Sequence, residues 1–316
     1  MNTGIASPVW NGVKVDLERS AGDGTVIQSD YPLEELTTLR AGGRAEWFTE
    51  PKTEAGLAAL LASCSKRALP VTVLGRGSNF LPLDSGVPGL TVRLSNPVFN
   101  GIESTGLRIK CGAGSKMKAV ATEARRCGLT GMEFLEGIPG SIGGGLRMNA
   151  GAMGRELFDV VETLRFMDPD GSVFEMPSES IEVGYRSCPL LKNQIALSVV
   201  LKGEPDAPDA ITARMSVFAE RRWSTQPRAR SAGCIFRNPE TIPAGKLVDE
   251  LGFKGLAEGG AMVSEEHANF IVNTGEATAG DILRLIQRIQ EKALVERGIR
   301  LKTEVQIVGV EQARDD

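Results

Sequence analysis

The chain has 316 residues, of which 41% are hydrophobic and 24% charged, and a formal charge of −4; this is the make-up of a globular protein of two or three domains. Net acidity argues against a general nucleic-acid binder, which needs clustered Lys and Arg, though a local basic patch could hold one small anion. One histidine, His267, excludes a histidine-rich metal site and makes triad hydrolysis a poor expectation, while five cysteines without CxxC spacing fit a reducing compartment.

The N-terminal "MNTGIASPVWNGVKVDLERS" lacks a basic stretch followed by an apolar core, so no signal peptide is expected. No apolar run approaches the roughly 18 residues of a membrane span. A soluble, cytoplasmic protein is the expectation. Residues 1–35 show no sustained period and read as an N-terminal arm. In "TEAGLAALLASCSKR" (53–67) Thr53 is a candidate N-cap ahead of apolar residues at helical spacing. Pro70 leads into the strand signal "VTVL" (71–74), a glycine loop follows, and "LTVRL" (90–94) reads as a second strand. Asn96-Pro97 and Asn100-Gly101 mark a boundary, closing a first unit at 36–97.

A second unit is expected over 98–204. Ser115 is the predicted cap of "KMKAVATEARRC", in which Met117, Val120, Ala121 and Ala124 share a face, and Gly128 ends that helix. "VVETLRFMDPDGSVFEM" (160–176) predicts a hairpin with Asp-Pro-Asp-Gly as its turn, and "IALSVVL" (195–201) a closing strand. "KGEPDAPDA" (202–210) reads as a linker into a third unit, 205–310, with a tail at 311–316. In that unit Ile282, Leu285, Ile286 and Ile289 predict one helix face within 281–297, Gly298 a stop, and "IRLKTEVQIVG" (299–309) an alternating strand.

Two glycine segments suggest a ligand. "LGRGSN" (74–79) follows a strand but fits neither a dinucleotide fingerprint nor a Walker loop. "GIPGSIGGGLRMNAGAMG" (137–154) has seven glycines in eighteen residues, interspersed with Ile138, Pro139, Ile142, Leu146 and Met148, which are not linker residues. Backbone this bare is entropically costly and makes sense where it approaches a bulky ligand and offers N–H groups to phosphates. Two such cradles in adjacent units suggest one long anionic cofactor between them.

"TTLRAGGRAEWF", "LGRGSNFL", "GLTGMEFLEGIPGSIGGGLRMNAG", "GYRS", "SAGCIFRNP", "AGKLVDELGFKG", "GGAMVSEEHANFIVN" and "GIRLKTEVQIVG" occur in the order and spacing of one family. Over residues 36–309 the chain resembles the UDP-N-acetylenolpyruvoylglucosamine reductases, in the shorter branch without a tyrosine-bearing loop, since no tyrosine follows Tyr185. The resemblance implies an α+β protein: a two-subdomain FAD-binding fold of the vanillyl-alcohol-oxidase (PCMH) type plus a C-terminal α+β substrate domain. It also implies NADPH-dependent reduction of UDP-N-acetylglucosamine enolpyruvate to UDP-N-acetylmuramate in peptidoglycan synthesis. No metal, nucleic acid, membrane or obligatory protein partner is expected. Gly75, Arg76, Gly77, Ser78, Asn79, Gly140, Ser141, Gly144, Asn149 and Ala150 would bind FAD. Arg76 replaces a frequent glycine, harmless if its side chain points outward.

Arg186, Cys234 and Glu304 are the implied catalytic residues: a cation for the pyruvyl carboxylate, a proton donor where the family usually has serine, and a carboxyl group beside the enolate. Without the resemblance, Arg186 is a surface arginine and Glu304, on a strand face with Lys302 and Gln306, a solvated residue. Tyr185, Arg222, Arg237 and Asn238 are expected at the substrate, and His267 as a hydrogen-bonded structural residue. Another flavin oxidoreductase of this fold, or a non-catalytic nucleotide-binding protein, stays open as an alternative.

Overall fold

The computed structural model describes residues 11–22 and 24–310. In the first unit, strands Ile27–Pro32, Arg44–Thr49, Val87–Arg93 and Val71–Leu74 form a four-stranded sheet in that order. The first pair is antiparallel and the other two are parallel. Helix Glu54–Lys66 covers it, with Leu57, Leu60, Leu61 and Cys64 buried; its cap is Thr53, whose side chain accepts the N–H of Gly56 at 2.9 Å. The region read as an arm is structured where described. Helix Asn11–Ala21 packs Leu17 and Ala21 into the same core, and Ile27–Pro32 is the sheet's edge strand. Residues 1–10, and the tail at 311–316, lie outside the described residues.

The second unit is a five-stranded antiparallel sheet in the order Val173–Pro177, Val161–Met167, Ile195–Lys202, Arg108–Gly112, Ile102–Thr105. The predicted hairpin turns at 168–171, where Gly171 N–H donates to Asp168 O at 2.9 Å. Helix Met117–Arg126 buries Met117, Val120, Ala121 and Ala124 as expected. Its cap is Lys116 rather than Ser115, because the Ser115 hydroxyl instead donates to Gly101 O at 3.3 Å.

The segment read as a linker is folded. Glu204–Pro205 pairs with Leu129–Thr130, and helix Pro208–Thr225 buries Ile211 and Met215 in the core shared by the first two units. Arg214 explains why an acidic stretch is ordered here: it donates to Glu133 at 2.9 Å and also engages Asp206. By packing, this helix therefore sides with the second unit.

In the C-terminal unit, strands Arg230–Cys234, Phe270–Asn273, Ala261–Val263 and Ala257–Glu258 form an antiparallel sheet under helices Ala244–Glu250 and Ala279–Arg297. The long helix buries Ile282, Leu285, Ile286 and Ile289, opens on a Thr278–Asp281 capping box and ends at left-handed Gly298 (φ 65°). Only Gln306–Val308 of the strand expected over 299–309 is a strand. It pairs in parallel with Phe80–Pro82 of the first unit, not with its own sheet. The C-terminal core likewise includes Leu39, Ala41 and Leu81 from the first unit.

Candidate active site

Two loops from neighbouring units border a cavity of about 690 Å³, in the range of small-molecule and cofactor sites. Residues 75–79 carry the chain out of strand Val71–Leu74, and residues 139–145 run into helix Ile142–Arg147, capped by Ser141. The loops touch: Ser78 Oγ donates to Pro139 O at 2.9 Å, and a Cβ on Gly75 would stand 2.7 Å from Ser141 Oγ. Gly77 has φ 64°, and a Cβ there would lie 2.1 Å from Leu36 O, so a side chain is excluded. At Gly144 a Cβ would meet only Ser141 Oγ, at 3.4 Å, in a direction left free beside the cavity.

Gly75 to Asn79, Gly140, Ser141, Gly144 and Ala150 all line this cavity. Asn149 is not among the lining residues. It is buried and clamps the neighbouring backbone: its amide donates to Glu156 Oε2 at 2.7 Å and its Oδ1 accepts the Phe158 N–H at 3.2 Å. Arg76 borders the cavity and is exposed. Partial burial, followed by the charge of Arg93, which also lines the cavity, pulls its pKa down.

The expectation that the second glycine segment offers N–H groups meets a limit. The N–H groups of Ile142, Gly143 and Gly144 already donate to Ser115 O, Ala113 O and Ser141 Oγ. Among the described residues, none receives a hydrogen bond from the N–H groups of Arg76, Gly77 or Ser78. The buried Asn79 Oδ1 and Asn100 Oδ1 also have no partner among them, and both residues line the cavity. Unpaired polar atoms, free backbone donors and arginines bordering the cavity fit a long dinucleotide with an anionic middle. FAD is such a group.

Arg147, missed in the sequence, also lines the cavity and donates to Leu191 O at 2.7 Å and Lys192 O at 3.2 Å, while burial lowers its pKa. Its signal was there to read, since it is the sole charge in the 137–154 segment.

Arg186, Cys234 and Glu304 come from three distant parts of the chain and all line the cavity. Arg186 sits in a turn at φ 55°, an unfavourable conformation for a non-glycine residue. Its Nε donates to Glu304 Oε1 at 3.2 Å, its terminal NH2 group donates to Gly151 O at 3.2 Å, and Glu156 lies 3.8 Å away. Glu304 is not solvated: its side chain is 17% exposed. Burial pushes its carboxyl group above the usual range, against the pull of Arg186 and then Arg237. Cys234 ends its strand at a bulge opposite Phe270. Burial, reinforced by Glu304, pushes the thiol up to about 12, while Arg186 and Asn269 pull the other way.

None of the four expected substrate residues lines the cavity. Tyr185 is half exposed, its ring 4.8 Å from the Arg186 guanidinium. Arg222 donates to Gly137 O and stacks on Trp223, while its buried Nε has no partner among the described residues. Arg237 acts by charge on Glu304, and its buried Nε is likewise without a partner among those residues. Asn238 is engaged in the fold, its Oδ1 accepting the N–H of Ala244 at 2.9 Å at the start of a helix. His267 is structural as expected: its Nδ1 accepts the Asn269 N–H at 3.1 Å, and burial lowers its pKa. No cluster of metal-ligating side chains occurs among the described residues.

Two family models match the chain: an FAD binding domain over residues 45–177 and the UDP-N-acetylenolpyruvoylglucosamine reductase C-terminal domain over 226–308. A UDP-N-acetylenolpyruvoylglucosamine reductase of Paramagnetospirillum magneticum is 43% identical over 89% of this chain and 91% of its own length. One from Clostridioides difficile is 39% identical over 90% and 93%. The crystal structure of the Thermus caldophilus reductase superposes with a TM-score of 0.78 at 36% identity, covering 90% of this chain and 99% of that one. These matches bear out the two-part α+β architecture, with FAD-binding units ahead of a C-terminal domain. On both halves of its length, the chain belongs to the UDP-N-acetylenolpyruvoylglucosamine reductase family.

Proposed function

We propose that this protein reduces the enolpyruvyl group of UDP-N-acetylglucosamine enolpyruvate to give UDP-N-acetylmuramate, with NADPH as reductant, in the cytoplasm. Family membership makes it an FAD-dependent oxidoreductase of peptidoglycan precursor synthesis. One observation carries the finer reading: Arg186, Cys234 and Glu304 meet at the cavity bordered by the two glycine loops. The cofactor is assigned to the first two units and the sugar nucleotide to the third. Free cysteines throughout the described chain, and no helix there long and apolar enough to cross a membrane, support the location.

FAD, when bound, supplies hydride transfer from NADPH to the enolpyruvyl methylene carbon. That addition leaves negative charge on the neighbouring carbon and its carboxylate. The Arg186 guanidinium, already fixed by Glu304 and Gly151, binds that carboxylate and holds the charge. Cys234 then gives its S–H proton to the carbon; the electron pair stays on sulfur, and solvent restores the thiol. A thiol whose pKa is pushed up to about 12 is fully protonated at neutral pH, so the donor stays loaded. Glu304 contributes by disfavouring the thiolate and orienting Arg186.

The test is anaerobic. Purified protein carrying flavin should bleach with NADPH, and UDP-N-acetylglucosamine enolpyruvate should restore the colour far faster than buffer does in stopped-flow. Equal rates with and without the sugar nucleotide reject the substrate, and a preparation that cannot take up flavin rejects the cofactor.

A further inference from the structure

Asn269 has so far entered only through its side-chain hydrogen bond toward the Cys234 thiol. It is buried at 2% exposure and comes from the segment before strand Phe270–Asn273. Regular pairing between the strands Arg230–Cys234 and Phe270–Asn273 is interrupted by a bulge between Ser231 and Cys234. Just past Cys234, Asn269 replaces the lost ladder. Its main-chain carbonyl accepts the Ile235 N–H at 2.8 Å. Its side-chain Oδ1 accepts the Phe236 N–H at 2.9 Å, and its Nδ2 donates back to Phe236 O at 2.8 Å. One amide side chain thus mimics the reciprocal pair of an antiparallel strand, a role for which it has both donor and acceptor.

The hold extends to the second catalytic group. Ile235, fixed by Asn269, uses its own carbonyl to accept the Glu304 N–H at 2.7 Å, and Phe236 bridges to Thr303. Behind Asn269, His267 Nδ1 accepts its N–H at 3.1 Å. The imidazole is wedged beneath the helix Ala244–Glu250, where a Cβ on Gly245 would stand 2.8 Å from its Cε1. Two motif residues without a chemical task, His267 and Gly245, therefore form the backing of Asn269.

We infer that Asn269 is a positioning residue that sets the Cys234 thiol and the Glu304 carboxyl group in register with each other for protonation of the substrate. The inference rests on the proposed role of Cys234. A donor displaced by about 1 Å can lose on the order of 10²-fold in rate while binding is spared, so the signature is a selective loss.

The decisive variant is Asn269→Asp, which is isosteric and keeps the acceptor for Phe236 N–H but turns the donor toward Phe236 O into a second acceptor. The holoenzyme variant should bind FAD with wild-type affinity in a fluorescence titration and be reduced by NADPH within twofold of wild type. Flavin reoxidation by the enolpyruvyl sugar nucleotide, which reads hydride addition, should stay close to wild type, while formation of protonated product should slow about 10²-fold. In deuterated solvent the new C–H centre should lose stereochemical purity, because bulk water competes with a misplaced donor. Asn269→Ser, which can still donate or accept one bond, should recover part of the rate. If Asn269→Asp weakens FAD binding and both half-reactions alike, Asn269 is merely structural and the inference falls; a variant that fails to fold passes the same measurements to Asn269→Ser. Wild-type rate and stereochemistry in Asn269→Asp overturn it as well. Cys234→Ala in the same assays separates the two readings: full activity there defeats the proton-donor role, whereas an impaired Cys234→Ala beside an unaffected Asn269→Asp defeats only the positioning role.

Discussion

A thiol at the proposed proton-donor position 234, where the resemblance implies serine, tests what that position requires. Cys234→Ser should keep substantial turnover, because both side chains present a protonated donor of similar reach. Cys234→Ala should still allow hydride addition but accumulate unprotonated enol, detectable as solvent deuterium exchange. The free-thiol value of about 8.5 leads one to expect activity to fall in mildly basic solution. Burial and Glu304 move that fall upward, since the donor works only while protonated and its folded-state value is about 12. The rate of protonated-product formation should therefore stay level from pH 7 to about 9.5; a fall centred near the free-thiol value would mean that burial does not hold the thiol protonated. Arg186→Ala and Glu304→Ala should spare reduction by NADPH and slow the second half-reaction by about 10²–10³-fold, the size typical of one preorganised charge-stabilising group. Glu304 also links to stability. Its folded-state value is raised, so the fold favours the protonated carboxyl and loses stability as pH rises through that value. Glu304→Gln should consequently raise the melting temperature at pH 7–8 while depressing turnover, and the stability gain should vanish in acid, where Glu304 is itself protonated.

At the level of elements, the two glycine loops make a paired prediction. Gly77→Ala forces a side chain into a left-handed backbone against Leu36 O and should destabilise the apoprotein by about 1–3 kcal/mol or more. Gly144→Ala occupies a helical position with room beside it, so the apoprotein should hold or gain up to about 1 kcal/mol. Its methyl group borders the cavity, and FAD affinity should fall. Thermal melts of the apoprotein with flavin titrations distinguish the two; equal behaviour would mean that the loops do not bound the cofactor. These loops were legible in sequence because backbone without side chains is itself a signal, as was helix Ala279–Arg297, whose stripe, cap and stop all agree. Helix Pro208–Thr225 was not, because the acidic, proline-containing run before it reads as a linker until Arg214 is seen engaging Asp206 and Glu133. Helix Asn11–Ala21 carries only Val13, Leu17 and Ala21 at fourfold spacing, too thin a stripe to stand out. At Glu304 the pattern alone misleads for another reason: alternation places it opposite Leu301 and Val305, yet that side meets Arg186, 118 positions away in sequence. No local pattern encodes such a meeting, nor the one in which Asn238 Oδ1 accepts the N–H of Ala244 at the start of a helix.

Across the whole molecule, the C-terminal unit is not self-sufficient. Its core takes in Leu39, Ala41 and Leu81, and Asn273 Nδ2 donates to the Leu39 and Arg40 carbonyls at 2.9 Å each. Asp84 accepts the N–H groups of Ala279 and Gly280 at the start of the long helix, at 2.9 and 2.8 Å. Residues 226–310 expressed alone should therefore lack a cooperative melt and show poorly dispersed amide resonances, whereas a sharp two-state transition would make the unit an independent domain. The return of strand Gln306–Val308 to Phe80–Pro82 has a mechanical meaning as well. It closes a frame already riveted on other sides, where the Thr38 hydroxyl donates to Ser231 O at 2.7 Å and Asn273 and Asp84 reach across. A body held at this many points is braced against turning about any one of them. Glu304 lies two positions before the returning strand, and its carbonyl is held by Asn79 Nδ2 at 3.1 Å. The frame thus moors the carboxyl group to the loop at 75–79.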